Sequence, residues 1–103
     1  MCSTCNNTPR DAAELLRRTT SLTEGLNQVA AAMQRAAASA DTPATWQEGD
    51  WSFELRIDEI PHRLRLLVWA PSKEQAQAVN HALRVPDTAR PNLISLVVRR
   101  LAN

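Results

Sequence analysis

The sequence predicts an α+β fold, a two-layer sandwich with helices on one face of a three- or four-stranded mixed sheet. Three observations lead there. A stretch from Pro9 to Ala40 carries apolar residues at alternating four- and three-residue spacing, the mark of a long amphipathic helix. A block from Trp51 to Ala70 alternates apolar and polar residues with period two. A short helix-period segment then separates that block from a final apolar run at Leu93–Val98. The expected order is α-(β)-β-β-α-β, in one domain.

The first helix organises the chain. Its seam reads Leu15, Thr19, Leu22, Leu26, Val29, Met33, Ala36 and Ala40, and only Thr19 is polar. Such a helix runs roughly 45–50 Å, whereas a typical strand spans about 17–20 Å. The helix is therefore expected to outrun its sheet. Thr8 suits an N-cap and Pro9 a first helical position, which leaves residues 1–8 as a flexible tail. Thr19, Thr20, Ser21, Thr23 and Gly25 form a weak point, since glycine costs about 1 kcal/mol against alanine. A break there would make Ser21 and Glu24 a capping box for a second helix. One continuous or gently kinked helix is the favoured reading. It stops in the polar run Ser39 to Pro43.

Residues 41–103 supply the sheet layer. Trp51, Phe53, Leu55 and Ile57 share one face of a strand from Trp51 to about Asp58. Gly49-Asp50 suits a two-residue hairpin turn back to a short strand, Ala44 to Glu48, with Trp46 opposite Phe53. After a turn at Ile60 to Arg63, a strand runs to Ala70 with Leu64, Leu66 and Val68 facing the core. Registers that set Asp58 or Glu54 opposite Arg65 are expected over one that pairs Arg56 with Arg65. Ser72 and Gln75 cap a second helix whose stripe is Ala76, Val79, Ala82 and Leu83. The final strand is apolar on both faces, which points to an interior, parallel position reached by a right-handed crossover. This element order resembles a ferredoxin-like fold lacking its first strand, a likeness of order alone that implies no function.

Charge and composition exclude more than they identify. Net charge is +1, so no bulk field draws the chain to nucleic acid or membrane. The basic residues are eleven Arg and one Lys, and Ala is abundant, which suggests the high-GC genome of a prokaryote or its mobile elements. The sequence has no apolar run of membrane-spanning length and no signal-peptide pattern; a cytoplasmic protein is expected. With only Gly25 and Gly49 in the chain, a glycine-rich phosphate loop has no material. His62 and His81 read as solvated or partly packed histidines. Asp58-Glu59 reads as turn chemistry, and no spacing suggests a catalytic triad. An enzyme is not expected, and no small-molecule substrate is evident.

Two binding readings remain. The first is a protein–protein interaction module, a self-associating accessory, inhibitor or adaptor protein. It would form a homodimer or hold another protein through Leu15, Leu22, Leu26, Val29 and Met33 of the seam, or through Leu67 and Trp69 on the outer sheet face. The alternative is a nucleic-acid-binding module built on Arg56, Arg63, Arg65, Trp69, Arg99 and Arg100. Glu54 and Asp58 on the same face weigh against it. Cys2 and Cys5 have the spacing of half a zinc site. Completion would require His62 and His81, or the same pair from a second chain. Incidental thiols are the expected reading, with no cofactor.

Overall fold

A computed structural model describes residues 3–102, with side chains from residue 12 to residue 102. The elements are α1 (Ser3–Ala37), β1 (Ala44–Glu48), β2 (Trp51–Glu59), β3 (His62–Trp69), α2 (Lys73–Leu83) and β4 (Leu93–Arg100). The fold is α+β, with a long N-terminal helix, a four-stranded antiparallel sheet and a second helix inserted before the last strand.

α1 is a single helix of 35 residues, about 52 Å long. It begins at Ser3 rather than Pro9, so residues 3–8 are helical and Thr8 is not its cap. Passing through Pro9 costs one main-chain bond, and its fixed φ is already helical. The weak point at Thr19–Gly25 neither breaks the helix nor starts a second one. Gly25 is the reason the helix can sit where it does. A Cβ there would lie 2.7 Å from Val79 Cγ2 and 3.2 Å from Trp51 Cη2. The missing side chain lets α1 approach α2 and the sheet closely, which offsets its poor helix propensity.

The core lies between the helices and one sheet face. Val29, Ala32 and Ala36 of α1 and Ala76 and Val79 of α2 meet Trp51, Phe53, Leu55, Leu64, Leu66, Val68 and Ile94. The β1–β2 hairpin turns at Gly49, whose φ of +60° suits glycine. It sets Trp46 opposite Phe53. The two rings stack with centroids 5.2 Å apart, and the Arg35 guanidinium lies 4.5 Å from the Trp46 ring centroid.

The sheet differs from expectation in three ways. It is antiparallel throughout, not mixed, because the β3–β4 connection returns to its starting end. α2 leads away from Trp69 for 11 residues. Arg84 then takes a left-handed φ of 57°, and the chain folds back along the helix. Val85 N donates to the Asn80 carbonyl at 2.8 Å, and Asn80 Nδ2 donates to Asp87 Oδ1 at 3.1 Å. Leu93 thus arrives beside Trp69. Secondly, β4 is an edge strand in the order β1-β2-β3-β4. Its two apolar faces serve the core at Ile94 and an outer patch at Leu93 and Val97, not an interior position. Thirdly, Arg56 does pair with Arg65. The repulsion is relieved because Arg65 Nε donates diagonally to Asp58 Oδ2 at 2.7 Å, while Arg56 extends into solvent.

Candidate interaction surface

Among the described side chains of α1, the sheet and α2 cover those from Ser21 onward. Ala12 to Thr20 are exposed apart from a half-covered Glu14, and within the described side chains burial begins at Ser21 and Leu22. The molecule measures 66 × 24 × 18 Å with a radius of gyration of 17.0 Å, against about 13 Å for a round domain of this length. The excess is the projecting arm of α1. Leu15 and Leu16 on this arm are 64% and 67% exposed. Glu14 and Arg18 pair along the helix at 2.8 Å, and Thr19 Oγ1 donates to the Leu15 carbonyl at 2.9 Å.

Between the arm and α2 runs an open groove of about 920 Å³. One wall is Leu15, Arg18 and Leu22 of α1; the other includes Glu74, Ala78 and His81 of α2. Ser72 fixes the start of that second wall by accepting from the Gln75 main-chain N–H at 3.2 Å.

The five seam residues fall into two groups. Val29 is buried within the core, and Leu22, Leu26 and Met33 pack partly against it. These four are committed to the chain's own fold. Leu15 alone has no such cover. On the outer sheet face Leu67 is only 7% exposed; it sits between Glu54 and Ser95 across the strands. Trp69 is half-buried beside Leu93.

Of the five arginines of the nucleic-acid reading, Arg56, Arg63, Arg65 and Arg100 share the outer sheet face with Trp69, and Arg99 does not. Asp58 Oδ2 accepts from Arg63 Nε at 3.0 Å as well as from Arg65, and Arg65 Nη1 also donates to Ser95 Oγ. The Arg65 hydrogen bond holds the Asp58 carboxyl below its ordinary value, burial opposes this, and Arg63 adds to the lowering. A β-bulge at Val98 shifts the register, so that Leu64 pairs with Arg99. Arg99 consequently turns to the helix side and binds the Ala37 and Ser39 carbonyls and the Asp41 carboxylate. Arg56 and Arg100 remain solvent-exposed on the outer face. Alternation along β4 gives no sign of this bulge, which is what sends Arg99 to the helix side.

Cys2 lies outside the described residues, and Cys5 is described only as a main-chain position on α1. His62 stands on β3 and His81 on α2. Among the described residues no three His, Cys, Asp or Glu side chains gather as a metal site. Among them, too, no helix is long and apolar enough to cross a membrane. Comparison with protein-family models, curated proteins and solved structures gives no match.

Proposed function

We propose that this protein is a non-enzymatic, cytoplasmic protein–protein interaction module that self-associates through the arm of α1. The observation that carries this reading is the arm itself. In a helix of 35 residues, the stretch from Ala12 to Thr20 lies off the sheet, with Leu15 and Leu16 uncovered. An isolated helical stretch of that length is marginal in water, and exposed apolar residues on it are stabilised by a partner surface. A second copy is the partner every such chain has at hand. As an accessory or adaptor protein it would then present two sheets on one helical hub.

The nucleic-acid alternative draws less support, since Arg63, Arg65 and Arg99 already have partners within the chain. Light scattering on the gel-filtered protein at low micromolar concentration is the test. The expected mass is twice 11.4 kDa, falling to the monomer in a Leu15→Glu, Leu16→Glu double variant. A monomer at every accessible concentration removes the reading.

A further inference from the structure

We propose that the outer face of the sheet is a second binding surface, one that takes a single strand of nucleic acid. Its phosphates would lie on Arg56, Arg63, Arg65 and Arg100, and a base on Trp69. This surface stands apart from the arm of α1, so it holds whether or not the chain self-associates.

The face is open because both helices pack on the other side. α1 and α2 close over Phe53, Leu55, Leu66 and Val68, whose neighbours along each strand point the opposite way. On that opposite face two adjacent cross-strand rows are basic. Arg56 stands directly opposite Arg65, and Arg63 directly opposite Arg100. Like charges so placed repel. One carboxylate within these rows, Asp58, serves Arg63 and Arg65. Four guanidiniums around one carboxylate leave an excess of three positive charges, which Glu54 in the next row lowers to two. The whole chain carries +1, so the composition conceals this local concentration. Arg56 and Arg100 carry the excess outward. Both are exposed, and among the described residues neither has an ion pair. An anion laid across the two rows would relieve both like-charged pairs.

Trp69 decides which anion. It shares β3 and the outer face with Arg65 and Arg63, four and six residues away, hence about 13 Å and 20 Å along the strand. Ser52 and Leu93 flank it across the sheet, and its ring is half-buried. Leu67, between Trp69 and the arginines, is only 7% exposed and leaves a low apolar floor. A phosphodiester strand uses both features at once. Its phosphates accept from the guanidiniums, and an unstacked base lies on the indole. The span suits roughly four nucleotides. In a duplex the bases stack on one another and do not reach a sheet surface, so the single strand is the form selected.

Fluorescence anisotropy of a labelled oligothymidylate, titrated with the full chain over a range of salt, tests this. Two or three phosphate contacts give an expected slope of about −1.4 to −2.1 for log affinity against log salt. Arg56→Ala with Arg100→Ala is expected to weaken binding about tenfold or more at low salt and to flatten the slope by about 1.4. Trp69→Leu is expected to weaken it about tenfold with the slope unchanged. Trp69→Phe keeps an aromatic face and should restore most of that loss, with circular dichroism to verify each fold. Arg17→Ala with Lys73→Ala removes the same charge from exposed positions off this face and should change affinity far less. No rise in anisotropy at the lowest salt, equal weakening by the Arg17 and Lys73 pair, or an unchanged affinity in Trp69→Leu overturns the proposal. Tighter binding of a duplex than of the single strand does so too. Displacement by poly-L-glutamate as readily as by unlabelled oligonucleotide also overturns it, and assigns the face to an acidic protein.

Discussion

Arg99 Nη1 donates to the main-chain carbonyl of Ala37 at 3.2 Å, which ties the end of β4 to the last turn of α1. The same guanidinium reaches the Ser39 carbonyl and the Asp41 carboxylate. A cation at a helix C-terminus meets the negative end of the dipole and carbonyls that have no helical donor. Arg99→Ala is expected to lower unfolding free energy by about 1–2 kcal/mol. Arg99→Lys should recover only part, since one ammonium does not span three acceptors as a guanidinium does. Denaturant titration at fixed protein concentration checks this; an unchanged midpoint for Arg99→Ala means the clamp contributes nothing.

Asp58 gives the sheet an acid-sensitive contact. Its carboxyl titrates below the ordinary value of 3.8 because the Arg65 hydrogen bond favours the charged form, against an opposing effect of burial and with help from Arg63. A lowered folded value means the contribution is present above the unfolded pKa and lost as pH falls through the folded one. Stability should therefore decline below about pH 4. Asp58→Asn should flatten part of that decline while lowering stability at neutral pH by about 1–2 kcal/mol. Thermal melts of both proteins from pH 2 to 7 decide it. An acid limb identical in the variant sinks the assignment to Asp58.

Gly25→Ala sets two effects against each other. Helix propensity favours alanine by about 1 kcal/mol. The new methyl, however, would lie 2.7 Å from Val79 Cγ2, and Val79 is fully buried with a stiff side chain. Overpacking of this kind costs about 1–3 kcal/mol, so the net effect should be destabilising. Val79→Ala in the Gly25→Ala background should then cost less than Val79→Ala alone, by about 1 kcal/mol. Additive effects across that double-mutant cycle would show that the two positions do not touch.

Where local pattern set structure, the sequence was readable. The 51–57 and 64–68 alternations placed both central strands, Gly49-Asp50 placed the hairpin, and Ser72 with Gln75 placed the start of α2. The seam of α1 was legible because one helix repeats one spacing over many turns. The failures share a cause, which is that they depend on contacts between distant residues. The parallel crossover was inferred without the left-handed turn at Arg84, a conformation arginine does not advertise. The rejected Arg56–Arg65 register became acceptable through a diagonal acid, Asp58, that a directly opposed pair count does not include. Gly25 read as a flaw in a helix because its use is a close approach by Trp51 and Val79. The clamp that Arg99 makes on the end of α1 was not legible, because the bulge at Val98 is silent in the pattern. The projecting arm was anticipated from length alone, whereas the division between Leu15 and Leu22 required the sheet.

Leu15 and Leu22 occupy the same position in successive heptads, yet substitution should separate them. Leu22 packs against the core, so Leu22→Glu places a charge at the edge of apolar side chains and removes their cover. A loss of roughly 2–4 kcal/mol is expected, in line with large-to-small core changes plus the cost of a poorly solvated carboxylate. Leu15 is 64% exposed, and within one chain its replacement uncovers nothing. Leu15→Glu should leave the unfolding midpoint unchanged in dilute protein, where association is negligible, and lower it at high concentration, where a dimer adds stability by mass action. Thermal melts of wild type and both variants over a hundredfold concentration range separate these cases. If Leu15→Glu destabilises equally at all concentrations, Leu15 belongs to the fold of the single chain. If it has no effect at any concentration, the arm carries no association through that residue.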